Sequence, residues 1–365
     1  MRVGLIGLPQ AGKTTLFNAL TRSHEAVHAY GGRDSEVHLG TIPVPDERFD
    51  FAVQVCRPKK QVPATIEITD GGARVELDRD REKFGADFFA GVRGMEALVL
   101  VLRAFKSDVL PEPPGGIDPV RDARRLMEEL LVADMVVIEG RLERLEKARQ
   151  QRRQSPAEAS EQQVLTRVRA HLMALQPVRT LDLSHEEERS IRSFAFVTAK
   201  PVILVANVGE EELGPAPAST APLRELAASE GRPLIELCAK VEMEVAQMDP
   251  AEEREFLQAL GIQEPARDRL IRAAYDALGL QSFFTVGEDE VRAWTIRKGT
   301  TALGAAEKIH TDIARTFIRA EVMSFEDFRQ HGGWDAARHA GKMRLEGKEY
   351  VVRDGEIVHI RHSRG

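Results

Sequence analysis

Eight residues near the start constrain this chain more than anything that follows. Gly7-Leu8-Pro9-Gln10-Ala11-Gly12-Lys13-Thr14 fits the pattern G-x-x-x-x-G-K-[ST]. Glycines let backbone N–H groups wrap a phosphate, a following helix adds its positive end, and the lysine and hydroxyl complete the cradle. Such a loop works only between a strand and a helix. Residues 2–8, apolar after Arg2, read as a buried strand, and a helical pattern begins at Thr15. Lys13 is therefore expected to reach the β- and γ-phosphates of a nucleotide, and the Thr14 hydroxyl to ligate Mg²⁺.

The loop also needs neighbouring strands. An alternating run at 64–69, with Ile66 and Ile68 on one face, and short apolar runs at 97–102, 201–206 and 233–238 supply them, separated by helical patterns. This alternation predicts an α/β domain with a mainly parallel sheet covered on both faces. Asp70 follows the run 64–69, where a phosphate-transfer site places the acidic residue of its magnesium shell. After 201–206 comes Asn207-Val208-Gly209-Glu210. Guanine-specific proteins carry Asn-Lys-x-Asp there, whose Asp accepts from guanine N1–H and N2–H₂. Adenine presents an acceptor and a donor instead. The missing lysine and the longer Glu210 therefore favour ATP over GTP.

With 365 residues the chain has room for two or three domains. Hydrophobic residues make up 42% and charged residues 30%, which suits a folded rather than a disordered chain. The longest apolar runs are about six residues, and a membrane helix needs about 20. Cys56 and Cys238 form neither a metal spacing nor a disulfide framework, and the opening strand leaves no room for a leader. The expectation is a cytoplasmic protein without membrane contact. The net charge of −7 excludes a generally basic nucleic-acid coat. No DNA contact is expected, and any RNA contact must use a local patch.

One such patch lies in a helical insertion. Between 122 and 175 Gly140 and Pro156 are the only glycine and proline. Leu131, Met135, Ile138, Leu142 and Leu145 form one heptad seam, and Leu165, Val168, Leu172 and Leu175 a second. With Ser155-Pro156 as a turn, this predicts an antiparallel coiled-coil hairpin. Arg141, Arg144, Lys147, Arg149, Arg152 and Arg153 make its tip basic, against Glu143 and Glu146, which suits RNA phosphates or an ordinary solvated face. Beyond Pro265 a helical pattern over 267–278 gives way to short alternating runs at 282–286, 291–296, 319–323, 350–353 and 357–360, with a helix over 302–310. Asp354-Gly355 predicts a hairpin between the last two runs. The C-terminal part is thus an α+β module.

Longer stretches then add a resemblance. Residues 7–21, Asn207-Val208-Gly209-Glu210, Glu290-Val291-Arg292-Ala293-Trp294-Thr295-Ile296, Ala306-Glu307-Lys308-Ile309-His310-Thr311-Asp312, Phe317-Ile318-Arg319-Ala320-Glu321-Val322 and Leu345-Glu346-Gly347-Lys348-Glu349-Tyr350 are similar to the YchF subfamily of Obg-related P-loop NTPases. The resemblance implies three parts: a discontinuous nucleotide domain (1–120 and 196–278), a helical hairpin insertion (121–195) and a ubiquitin-like TGS domain (279–365). It also implies ATP preference and association with ribosomes or RNA. The candidate nucleotide-binding residues are Pro9, Gln10, Ala11, Gly12, Lys13, Thr14, Thr15, Asn207, Val208, Glu210, Cys238 and Ala239. Lys13 and Asp70 are the candidate catalytic residues, and Thr14 and Asp70 the metal ligands.

Several positions depart from the family pattern. Asp34-Ser35 stands where switch I carries Thr-Ile, so Ser35 or Thr41 must supply its hydroxyl. Switch II reads Asp70-Gly71-Gly72-Ala73-Arg74, without the usual flexible glycines downstream. Arg74 is a candidate cationic finger toward the γ-phosphate. The segment 103–118 lacks the histidine that family members carry there. Two readings follow: a slow NTPase switch, or a nucleotide-dependent binding module that hydrolyses little. A GTP-specific factor is the third reading, against which Asn207–Glu210 argues.

Overall fold

The computed structural model describes residues 1–22, 38–70, 75–78, 81–214, 216–262 and 264–363. Asp34, Ser35 and the segment 71–74, including Arg74, lie outside the described residues. The chain divides into two compact units: Met1–Thr41 with Glu67–Leu270, and Ile42–Ile66 with Ile271–Gly365.

The first unit is built on a six-stranded sheet in the order His38–Pro43, Thr65–Asp70, Arg2–Ile6, Ala97–Arg103, Val202–Asn207, Leu234–Leu237, of which Ile42–Pro43 and Thr65–Ile66 are counted with the second unit. From Thr65–Asp70 across to Leu234–Leu237, all pairings are parallel. Ala97–Arg103 is buried along its whole length. A strand covered on both faces carries a continuous apolar run rather than an alternation, which is why it was readable. On one face Leu98, Leu100, Leu102 and Leu204 pack with Leu126 and Leu130 of the helix Pro119–Gln150 and with Leu223 of the helix Ala221–Ser229. Helix Lys13–Thr21, which follows the phosphate loop, packs beside Ala239–Val245.

Helix Pro119–Gln150 turns at 151–155 into helix Pro156–Met173, whose N-terminus is closed by a capping box between Ser155 and Glu158. Leu131, Ile138 and Leu145 are buried against Val164, Leu165, Val168 and Leu172, with Met135 and Leu142 partly buried beside them. The ion pairs Arg141–Glu161 (2.8 Å) and Glu139–Arg169 (3.7 Å) cross in opposite chain order, so the helices run antiparallel. The second seam stops one seam position earlier than expected, at Leu172. Leu175 lies past the helix end with φ 58° and is 67% exposed. The hairpin also belongs to the first unit rather than forming a unit of its own. Asp134, wholly buried in the long helix, accepts hydrogen bonds from Val197 N (3.0 Å) and Thr198 N (2.8 Å) and so fastens the hairpin to its base.

The second unit holds a mixed sheet ordered Arg344–Glu346, Phe317–Met323, Ile357–His362, Leu280–Thr285, Glu290–Arg297, Lys60–Val62. Helix Ala302–Ile309 buries Ala302, Ala305 and Ala306, whose small side chains bring it close to Phe283, Phe317 and Val322. Two expectations are corrected here. Residues 42–66, read as part of the nucleotide domain, fall in this unit. Lys60–Val62 pairs in parallel with Glu290–Arg297, and Phe49 and Phe51 of the helix Glu47–Cys56 meet Phe284 and Phe328 at 6.5 and 6.3 Å. The segment 350–353 is not a hairpin strand; only Val351 forms a bridge, to Thr301. Asp354 and Gly355 instead clasp Ser282, which donates N–H to Asp354 Oδ1 (3.0 Å) and accepts from Gly355 N (2.7 Å). Ile357–His362 is thereby placed between Phe317–Met323 and Leu280–Thr285.

Candidate nucleotide-binding site

The phosphate loop leaves the C-terminal end of Arg2–Ile6 and enters helix Lys13–Thr21. Both glycines are required by geometry. A Cβ on Gly7 would collide with the backbone carbonyl of Val101. Gly12 has φ 93°, and a Cβ there would collide with the Asn207 amide. Gln10 also sits in the left-handed region, at φ 61°. No side chain caps the helix at Gly12, so its first N–H groups face the loop without a side-chain acceptor, the arrangement that binds anions.

Lys13 Nζ donates to Gly7 O (3.1 Å) and Leu8 O (2.9 Å), folding its side chain back over the loop. Burial pushes its ammonium below the usual lysine range, and the Asp70 carboxylate opposes that shift. Thr14 Oγ1 donates to Asp70 Oδ2 (2.9 Å). Asp70 is 3% exposed, and its second oxygen, Oδ1, is buried with no hydrogen-bond partner among the described residues. The structure therefore joins Lys13, Thr14 and Asp70, which the sequence placed together.

Asn207 ends Val202–Asn207 and is buried. Its Nδ2 donates to Ala11 O (3.0 Å), and its Oδ1 accepts from Ala239 N (2.9 Å). It is thus a brace between the phosphate loop and the loop after the last strand. Glu210, in a short turn just beyond, is ion-paired to Lys240. The side chains of Val208 and Cys238 are buried. Both pack in a cluster with Ala104, Val241 and Leu257, and burial pushes the Cys238 thiol up. Any contact they make to a base falls to their backbone. Pro9 is exposed, Thr15 lies in the first turn of the helix and Thr41 is exposed on the strand His38–Pro43.

Two residues were missed. Lys240 holds Glu210; the available signal was a lysine directly after the last strand's Cys238-Ala239. Arg103 ends the central strand in register with Asn207. It donates to Phe105 O (3.2 Å) and Pro111 O (3.0 Å), lies over the Phe105 ring at 4.9 Å and keeps a buried, unpartnered Nη2. A charged residue closing an apolar strand was its signal.

The family model YchF-GTPase_C, described as "Protein of unknown function (DUF933)", matches residues 280–363, and MMR_HSR1, "50S ribosome-binding GTPase", matches residues 2–137. The chain is 38% identical to the Ribosome-binding ATPase YchF of Bacillus subtilis, covering 100% of this chain and 99% of that protein. It is 40% identical to the protein of the same name from Haemophilus influenzae, covering 99% of each. Human Obg-like ATPase 1 is 32% identical, over 100% of this chain and 92% of the human protein. Among solved structures, the Schizosaccharomyces pombe YchF GTPase superposes with a TM-score of 0.85 at 33% identity, covering 99% of this chain and 97% of that one.

Proposed function

The chain belongs to the YchF family of Obg-like P-loop NTPases, and from that premise we propose that it is an ATP-preferring, magnesium-dependent NTPase that cleaves the γ-phosphate slowly and works on the ribosome. The observation that carries this reading is the Thr14–Asp70 contact with its orphaned Asp70 Oδ1. A buried carboxylate oxygen without a donor is costly in a purely structural role. Thr14 and Asp70 offer hard oxygen donors, which fit Mg²⁺, and they are the residues that would hold it. When bound, the ion neutralises charge on the β- and γ-phosphate oxygens.

The chain's own groups do the rest. Lys13 exchanges its two loop carbonyls for phosphate oxygens, and its partial desolvation strengthens that attraction. The uncapped helix start directs N–H groups at the phosphates. Asn207 fixes the distance between the phosphate loop and the base pocket. The Glu210–Lys240 pair neutralises the carboxylate that a guanine site would leave free, which supports adenine. The hairpin acts as a coiled-coil arm and the C-terminal sheet as a TGS, ubiquitin-like module, the two surfaces that meet the ribosome.

Titration with fluorescent ATP and GTP analogues, with and without Mg²⁺, tests the reading. Tighter, magnesium-dependent ATP binding is expected; GTP preference or loss of magnesium dependence overturns it. A nucleotide-dependent binding module with little hydrolysis is favoured by one observation: the described loop after Arg103 has no histidine. Single-turnover hydrolysis at about 10⁻⁴ to 10⁻² per second eliminates that alternative.

A further inference from the structure

We propose that a cavity at the base of the helical hairpin is a second ligand site, shaped for a small phosphate- or carboxylate-bearing molecule with an apolar body. The cavity encloses about 240 Å³. At about 30 Å³ per water, that is about eight waters' worth of space. Its walls come from the long helix Pro119–Gln150, the segment after Pro156–Met173, and the starts of the strands Val202–Asn207 and Leu234–Leu237. It therefore opens at the N-terminal edge of the parallel sheet. The phosphate loop and Asn207 occupy the other edge, about 16 Å away along a five-residue rise.

Its charge is the first argument. Arg124, Arg179, Lys200 and Arg232 line it against Glu128 and Glu230, in a chain whose net charge is −7. Two of these cations are already engaged. Lys200 Nζ donates to Arg93 O (2.9 Å) and Met95 O, and Arg232 is ion-paired to Glu230. Charge is balanced in that pair but hydrogen bonding is not: the Nε atoms of Arg179 and Arg232 are both buried with no hydrogen-bond partner among the described residues. Burial, Arg179 nearby included, holds the Arg232 guanidinium below its usual range. Two neighbouring guanidiniums, in a lining of four cations and two acids, leave a deficit of negative charge, which a planar or tetrahedral oxyanion fills with paired N–H contacts.

Shape is the second argument. Met127, Leu130, Leu131 and Val202 give the cavity an apolar floor, and Leu175, 67% exposed, stands at its wall. A bare inorganic anion would leave that floor wet, so the occupant carries apolar bulk. The site is independent of the nucleotide reading, because it shares no residue with the phosphate loop.

Calorimetric titration of the full-length protein with phenyl phosphate, benzoate and inorganic phosphate tests the proposal. Phenyl phosphate or benzoate is expected to bind more tightly than inorganic phosphate, and the stronger of the two identifies the headgroup. Lys13→Ala is expected to leave this binding unchanged. Arg179→Met should weaken it at least tenfold. Met127→Trp, which keeps every charge and fills the floor, should abolish it, and it serves as the test if Arg179→Met does not fold. Urea midpoints report folding of each variant. The proposal fails if none of the three probes binds, if binding survives both cavity variants, or if Lys13→Ala alone removes it, which would place the probe on the phosphate loop.

Discussion

Two buried aspartates at opposite edges of the same parallel sheet differ in one respect that sets the proposed magnesium site apart from a fastening. Asp134, wholly buried, has both oxygens saturated: Oδ1 accepts from Val197 N, with Arg93 at 3.5 Å, and Oδ2 accepts from Thr198 N and Thr198 Oγ1, both at 2.8 Å. Asp70, 3% exposed, has one donor among the described residues, Thr14 Oγ1, and an idle second oxygen. A carboxylate that exists to hold a fold collects every donor within reach. One that exists to meet a ligand keeps capacity in reserve, and the surrounding fold carries the cost.

The sharpest way to break this contrast is at Lys13. Lys13→Ala removes the ammonium that bridges the loop to Asp70's field. Turnover, or nucleotide affinity if turnover is too slow, is expected to fall by about 10² or more, as when a preorganised charge is removed from a phosphoryl-transfer site. The urea midpoint should hardly move, since Lys13 donates only to loop carbonyls. Nucleotide titration and denaturation on the same preparation check both halves.

The aspartates themselves should respond in opposite currencies. Asp134→Ala strands the N–H groups of Val197 and Thr198 and is expected to cost about 3 kcal/mol, with nucleotide affinity intact. Asp70→Asn keeps an acceptor for Thr14 and is expected to change stability by under about 1 kcal/mol while abolishing the magnesium dependence of ATP binding. Equal stability losses in the two variants would erase the distinction.

A smaller effect lies in pH. Burial lifts the Asp134 carboxyl above the usual carboxylate range, against the pull of its hydrogen bonds and of Arg93. The folded state then holds this proton more tightly than the unfolded chain. The group's contribution is complete below the unfolded carboxylate value and is lost as pH rises through the raised folded value. Unfolding free energies measured from about pH 4 to about pH 7 should therefore show a downward component in the wild type that Asp134→Asn removes.

What was legible in the sequence follows the same line between local and distant causes. The central strands were readable because a strand buried on both faces has a continuous apolar run, and the phosphate loop because its glycines are dictated by collisions with Val101 and Asn207. Lys60–Val62 was not readable: three residues carry no periodicity, and the strand that claims them lies far downstream. The segment 350–353 misled because its turn signal was sound but the turn is held by Ser282 of the strand Leu280–Thr285, not by pairing of 350–353 with Ile357–His362. Arg103, Lys240 and the bracing role of Asn207 depend on where strand ends meet, which no window along the chain contains. Leu175 kept the heptad step but fell beyond the turn that ends its helix.

The hairpin tip offers the smallest expected effect and the finest discrimination. Its six basic residues looked equivalent in sequence, but the structure sorts them. Arg141 pairs with Glu161, Lys147 with Glu143 and Arg149 with Glu146, while Arg144 donates to Gly140 O. The guanidiniums of Arg152 and Arg153 make no hydrogen bond or ion pair among the described residues, so they are the cations available to an RNA backbone without first breaking a contact. The double variant Arg152→Ala/Arg153→Ala is expected to leave stability within about 0.5 kcal/mol. If each contacts one phosphate of a duplex, the slope of log affinity for RNA against log salt should shrink by about 2. Glu161→Gln, by contrast, should cost about 0.5 to 1 kcal/mol of stability and leave the slope in place. An unchanged slope in the double variant would assign the tip's charge to solubility and move the RNA contact elsewhere on the chain.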